Sequence, residues 1–170
     1  MPKHGALILL FAIASCSTTQ TTSTAPSDAF VTQSTAEIIK VLDDWHDAAS
    51  KADEERYFSH FAKEAVFLGT DAAERWDVPA FRAYAHPIFS QGKGWSFHAV
   101  RRAITVGAFG VAWFDEALDT KNLGPARGSG VLLAGPGGRW KIAQYNLSIT
   151  IPNERFNAVK QLLESAPALK

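Results

Sequence analysis

The chain has 170 residues, 46% of them hydrophobic and 20% charged, which suits one globular domain with extra segments and is too short for two full cores. Seventeen basic residues against seventeen acidic ones leave no net charge, so neither a basic face able to bind a phosphate backbone nor a nucleic-acid partner is expected. The one adjacent basic pair, Arg101 and Arg102, makes no patch, because neighbours on a strand point to opposite faces.

Lys3 and His4 precede the apolar run ALILLFAIA (6–14), and small residues follow, which is the order of a secretory signal. The run is too short to remain as a spanning helix. Its end, IASC at 13–16, resembles the lipobox of bacterial lipoproteins. That resemblance implies a signal peptide over 1–15, lipidation of Cys16 and a membrane anchor there. It further implies the periplasmic face of a bacterial membrane. The outer membrane is the expected address, since Ser17 stands where an aspartate commonly retains such proteins in the inner one. Cys16 is the only cysteine, so the exported domain forms no internal disulfide and must be held by packing. The stretch STTQTTST (17–24) cannot bury enough apolar area to offset its ordering entropy, and a flexible tether is expected over 16–33.

Ser34 and Glu37 are spaced as a capping box, and Ile38, Val41, Leu42, Trp45, Ala48 and Ala49 recur at helical spacing, predicting a helix over 35–51. Asp53 can cap a second helix with the aromatic stripe Tyr57, Phe58 and Phe61; AVFLG (65–69) reads as a short strand. A third helix follows Asp77, with Pro79 in its first turn and Phe81, Tyr84, Ala85, Ile88 and Phe89 as its buried stripe; GKG (92–94) closes it. The period then becomes extended, with strands expected over 95–106, 110–119, 126–134 and 139–150. Asn153 is the expected cap of a last helix carrying Phe156, Val159, Leu162 and Leu163. Helices first and antiparallel strands afterwards make an α+β domain in which a curved sheet wraps helices on one face.

This order resembles the nuclear transport factor 2-like superfamily, also called SnoaL-like. The similarity is carried by VLDDWHDAASKADEERYFSHFAKEAVFLGTD (41–71), ERWDVPAFRAY (74–84), AWFDE (112–116), RGSGVLL (127–133) and RWKIAQYNLSI (139–149). It implies three N-terminal helices packed on a curved antiparallel sheet that encloses a conical cavity. The domain is expected over 34–152, followed by a C-terminal helix and tail over 153–170. The superfamily hosts isomerases, cyclases, dehydratases, ligand-binding proteins and association domains, so the fold does not choose a function. Many relatives hold a histidine in the final strand where this chain reads Gln144, Tyr145, Asn146, and no catalytic set maps across.

The chemistry is therefore weighed residue by residue. Histidines 4, 46, 60, 86 and 98 show no metal-ligand spacing, so no metal or other cofactor is expected. Helical period puts His46 on the solvated face with Asp43 and Asp47, the alternative being that it looks into the cavity. His98, between Phe97 and Ala99, is expected to be half-buried. The serine in RGSGV lacks the strand-to-helix turn and the flanking glycines of a nucleophile elbow. Gly128 and Gly130 instead remove bulk where an aromatic such as Trp113, or a ligand, crosses the sheet. GPGG (135–138) reads as a hairpin turn. In GTDAAERWD (69–77) an Arg75 to acid pair is expected to hold the loop, with Trp76 as a hydrophobic plug, in preference to ligand binding.

Asp115 and Glu116 are adjacent on a strand, so they face opposite ways and cannot form a dyad. Asp115 goes with Val111 and Trp113, Glu116 with Ala112 and Phe114. Glu116 is expected inward, toward the space freed by the glycines, with Arg127 as a cross-strand ion partner for one of the acids. Three readings follow. The preferred one is a domain binding a small, largely apolar ligand among Trp45, Tyr57, Trp76, Trp95, Phe114, Glu116, Arg127 and Asn146. In it the chain forms a homodimer through the outer sheet face, inferred from Trp113, Phe114, Tyr145 and Leu147. The alternatives are an acid–base enzyme using Glu116 or Asp115 with a raised pKa, and an interaction module with a filled cone.

Overall fold

The computed structural model describes residues 25–165. The expected signal segment, Cys16 and the start of the tether lie outside the described residues, as do the last five positions.

The first helix, α1 (Asp28–Ser50), runs for 23 residues and begins earlier than its sequence suggests. Ser27 caps it by accepting the Phe30 N–H, and Asp28 sits in the first turn, where the positive end of the helix dipole favours an acid. Ser34 is buried inside the helix, and Glu37 accepts from Gln33, so the apparent capping box is an interior i, i+3 coincidence. Residues 28–33, expected to belong to a tether, are helical. Asp53 caps α2 (Glu54–Ser59) through the Arg56 N–H. Phe61 belongs not to α2 but to the start of β1 (Phe61–Leu68). A short strand, β2 (Arg75–Asp77), was not anticipated and pairs with the end of β1. Asp77 then caps α3 (Val78–Phe89) by accepting the Ala80 N–H at 2.9 Å.

The meander consists of β3 (Phe97–Val106), β4 (Val111–Thr120), β5 (Ala126–Ala134) and β6 (Trp140–Ile149). Strand order is β2-β1-β6-β5-β4-β3. The sheet is mixed and not purely antiparallel, because β1 runs parallel to β6 after a crossover through α3 and the meander. Irregularities between Ala99 and Arg101 and between Val131 and Leu132 locally bend the strands. The helices cover one face, and Ile38, Leu42, Ala48, Leu132 and Ile142 are fully or almost fully enclosed between the layers.

After β6, Asn153 does not cap the last helix. Residues 153–155 form a 3-10 turn, and α4 (Phe156–Ser165) follows with none of its residues buried. No helix among the described residues is long and apolar enough to cross a membrane.

Candidate functional site

Register decides which side chains meet. In the β3–β4 hairpin Arg102 stands opposite Glu116, seven residues either side of Phe109 at the turn. Glu116 lies on the helix-covered face and is completely buried, while Asp115 is on the other face with 47% of its side chain exposed. The alternation that separates the two acids also separates the two arginines. Arg102 Nε donates to Glu116 Oε2 at 2.8 Å, and Arg101 lies 3.7 Å from Asp115. Arg127 is the partner of neither acid, because it stands opposite Ala117 on the outer face. The ionic partners come from the strand on the opposite flank of β4.

Glu116 is held by two further groups. His46 Nε2 lies 2.7 Å from Oε1, and since an ionised carboxylate only accepts, that nitrogen carries the hydrogen. The Tyr145 hydroxyl donates to the same oxygen at 3.1 Å. Arg102 Nη1 continues the network to Asp43 at 2.7 Å. His46 is therefore buried and not on the solvated face of α1. The sheet wraps far enough around the helix to enclose Trp45, His46, Ala48 and Ala49 together, an arc wider than a single amphipathic stripe. His98, by contrast, is exposed opposite Asp119.

The glycines make room for this network. A Cβ on Gly128 would overlap the Tyr145 hydroxyl and come within 2.9 Å of Glu116 Oε1. One on Gly130 would first overlap the Gln144 backbone carbonyl oxygen and would also lie 3.0 Å from the Phe114 ring. The groups crossing the sheet are thus Tyr145 and Phe114, not Trp113.

Burial pushes the Glu116 carboxyl up, but the hydrogen bond and electrostatic pull of His46, then those of Arg102, outweigh it and leave the group below its usual range. Burial, reinforced by the neighbouring carboxylate, pushes Tyr145 well above the usual tyrosine value, so it stays a donor. A base needs a free lone pair and a pKa near the working pH. Glu116 is held by three donors and its carboxyl lies below the usual range, so the raised pKa that the acid–base enzyme reading requires is not found at Glu116.

Beside this network is a cavity of about 450 Å³, which removes the filled cone of the interaction-module reading. Trp45, Tyr57, Trp76 and Trp95 line it, joined by Phe67, Phe81, Tyr84, Phe97, Tyr145 and Leu147. Thr70, Glu74, Thr120, Lys121 and Asn122 supply its polar border. Phe114 and Glu116 lie behind Tyr145 and do not line it, and Arg127 and Asn146 belong to the outer face. Trp76 does not plug its loop through an Arg75 pair: among the described residues Arg75 makes no ion pair. The loop is closed by the Gly69 N–H to Glu74 carbonyl bond and by the Asp71 N–H to the Glu74 carboxylate. A second, polar cleft of about 480 Å³ is lined by Asp43, Asp47, His98 and the outer parts of His46 and Arg102. No cluster of His, Cys, Asp and Glu with metal-binding geometry occurs among the described residues.

The family of SnoaL-like domains matches residues 38–152, the span that builds both the network and the cavity. The chain belongs to this family. Solved structures agree in fold. The SnoaL-like domain resembles an NTF2-like protein of unknown function from Pseudomonas putida KT2440, at 15% identity and a TM-score of 0.60 over 72% of this chain and 91% of that one. It resembles a domain of unknown function with a cystatin-like fold from Nostoc punctiforme, at 16% identity and a TM-score of 0.63 over 81% and 89%. A candidate dehydratase of the NTF2-like family from Streptomyces avermitilis matches at 12% identity and a TM-score of 0.60 over 71% and 99%. At these identities the likeness is one of fold. Among curated proteins none matches the sequence.

Sequence reading missed His46, Arg102 and Tyr145 as the partners of Glu116. Arg102 was accessible from the symmetry of the hairpin about Phe109; the other two depend on contacts between distant elements.

Proposed function

We propose that this SnoaL-like domain is a binding protein whose conical cavity takes a small, largely apolar molecule. The observation that carries the reading is the cavity itself, about 450 Å³ and walled mostly by aromatic rings, while the one acid near its floor is committed on both oxygens. Cavities of roughly 300–1,000 Å³ with apolar walls and a few polar groups suit small ligands. Titration of the protein with small cyclic ketones and alcohols, followed by tryptophan fluorescence, tests it, since Trp45, Trp76 and Trp95 line the space. Saturable changes abolished by the cavity-filling change Leu147→Trp are expected. No saturable response to any of them would overturn the reading.

The proposal extends to how the domain is presented. A lipid on Cys16 would hold it at the periplasmic face of the outer membrane, a reading supported by the lipobox resemblance. A homodimer through the outer sheet face is supported by Trp113, 50% exposed, and Leu133, 41% exposed. Phe114, Tyr145 and Leu147, which entered the sequence inference of a dimer, all turn to the buried side and give it no support.

A further inference from the structure

The polar cleft between α1 and β3 lies outside the cone and is lined by one stripe of α1. Asp43, His46, Asp47 and Ser50 stand at i, i+3, i+4 and i+7, a single helix face on which neighbouring Cβ atoms are about 5–6 Å apart. Ser96, His98 and Arg102 line it from the other side. His46 faces this cleft and not the cone, with 8% of its side chain exposed. Glu116 accepts the Nε2 hydrogen, which makes Nδ1 the acceptor of the neutral ring. Nδ1 has no hydrogen-bond partner among the described residues, and it is not sealed off from solvent as Arg102 Nη2 is. The buried carboxylate thus aims a free lone pair of His46 outward, into the cleft.

The other groups of the stripe add acceptors. Oδ1 of Asp43 accepts from Arg102, and Oδ2 of Asp47 accepts from Lys51 and Arg56, which leaves one oxygen on each carboxylate without a partner among the described residues. The Ser50 hydroxyl donates to the Asp47 carbonyl and keeps its lone pairs. Arg102 is committed to Glu116 and Asp43, and its remaining nitrogen is enclosed, so it offers the cleft no free donor. Ser96 and His98 can both donate and accept, and impose no sign. An anion would meet two carboxylates here, and a quaternary ammonium would bring no N–H. A primary ammonium carries a positive charge and three N–H donors, one each for Asp43, Asp47 and His46.

We propose that the cleft between α1 and β3 is a second binding site, and that it takes a small primary amine in its ammonium form. Asp43 and Asp47 supply the opposite charge. Nδ1 of His46 supplies a third acceptor whose direction is fixed in advance by Glu116, so little ordering is left for the moment of binding. The inference does not depend on what the cone binds.

Isothermal titration of the full chain at about pH 8, where an imidazole is ordinarily neutral, tests it with molecules that share a butyl chain: butylammonium, butyltrimethylammonium, butanol and butyrate. Butylammonium should bind about tenfold more tightly than the others, since charge-assisted hydrogen bonds need both the charge and the N–H. Its saturation should shift the ring-nitrogen NMR signals of His46 and leave those of His86, which is paired with Glu54 away from the cleft, unchanged. Asp43→Asn should weaken butylammonium about fivefold, and the cone-filling Leu147→Trp should leave it within about twofold. Equal affinity for butyltrimethylammonium, tighter binding of butyrate, or an unmoved His46 signal at saturation would each overturn the inference. Loss of butylammonium binding in Leu147→Trp would overturn it by moving the ligand to the cone. No saturable binding of butylammonium would overturn it and leave the reading of the cone standing.

Discussion

Replacing Glu116 by glutamine should destabilise the domain by about 3 kcal/mol, because it removes one member of a buried ion pair and leaves the other in place. The carboxylate accepts from His46, Tyr145 and Arg102 with both oxygens used. A carboxamide has one accepting oxygen and turns an NH₂ toward the remaining donors, so either Arg102 or the His46 and Tyr145 pair faces another donor. Breaking a buried pair by one partner costs about 3–5 kcal/mol. The lower figure applies here because Arg102 retains Asp43, whose side chain is 63% exposed and already well solvated. For a domain of this size the loss amounts to roughly 10 °C in Tm. Urea unfolding at pH 7, followed by tryptophan fluorescence, measures it. Replacing Glu116 and Arg102 together by methionine should regain part of what Glu116→Met alone loses, since the charge left behind is then removed. A loss below about 1 kcal/mol for Glu116→Gln, or a double variant no better than the single, would refute the structural role of the network.

Acid should reveal the same group. Because the folded Glu116 carboxyl titrates below its ordinary 4.5, the stability it supplies is complete above that pH and is lost as pH falls through the lower folded value. Unfolding free energies measured from pH 7 to 3 should therefore fall less steeply in Glu116→Gln than in the parent, and parallel curves would contradict this. Gly128→Ala should cost about 1–3 kcal/mol by overpacking, since the new methyl group meets Tyr145 and Glu116; thermal denaturation checks it. Trp113→Lys should leave folding within about 0.5 kcal/mol, as expected of an exposed position. It should also convert the proposed dimer to a monomer in sedimentation; a parent that is already a monomer, or a dimer unaffected by the change, would overturn that interface.

Local patterns made most of the fold legible. Alternation along VAWFDEALD is a property of the extended backbone, and it alone separates Asp115 from Glu116 whatever the strand packs against. Helical spacing identified α1 and α3, and the Asp53 and Asp77 caps were readable because a cap lies within three residues of its partner. The sequence misled where a local pattern had two explanations. Ser34 and Glu37 satisfy a cap and a helix interior equally, and only the earlier Ser27 and Asp28 settle the start. β2 is three residues long, too short to show a period of its own.

The site was decided almost wholly by tertiary structure. His46 is 70 residues from Glu116 along the chain, and Tyr145 is 29. Whether the imidazole meets water or the carboxylate depends on how far the sheet wraps round α1, which no window of α1 records. The same holds for the cavity. Tyr57, Trp76 and Trp95 were named together only through their residue type; the near-parallel planes of the two indoles, and the 65° between Tyr57 and Trp95, arise from the packing of α2, β2, α3 and the segment before β3. Periodicity assigns each side chain to a face. The register between strands and the docking of helices on the sheet determine what that face meets, and those depend on contacts summed over the whole core.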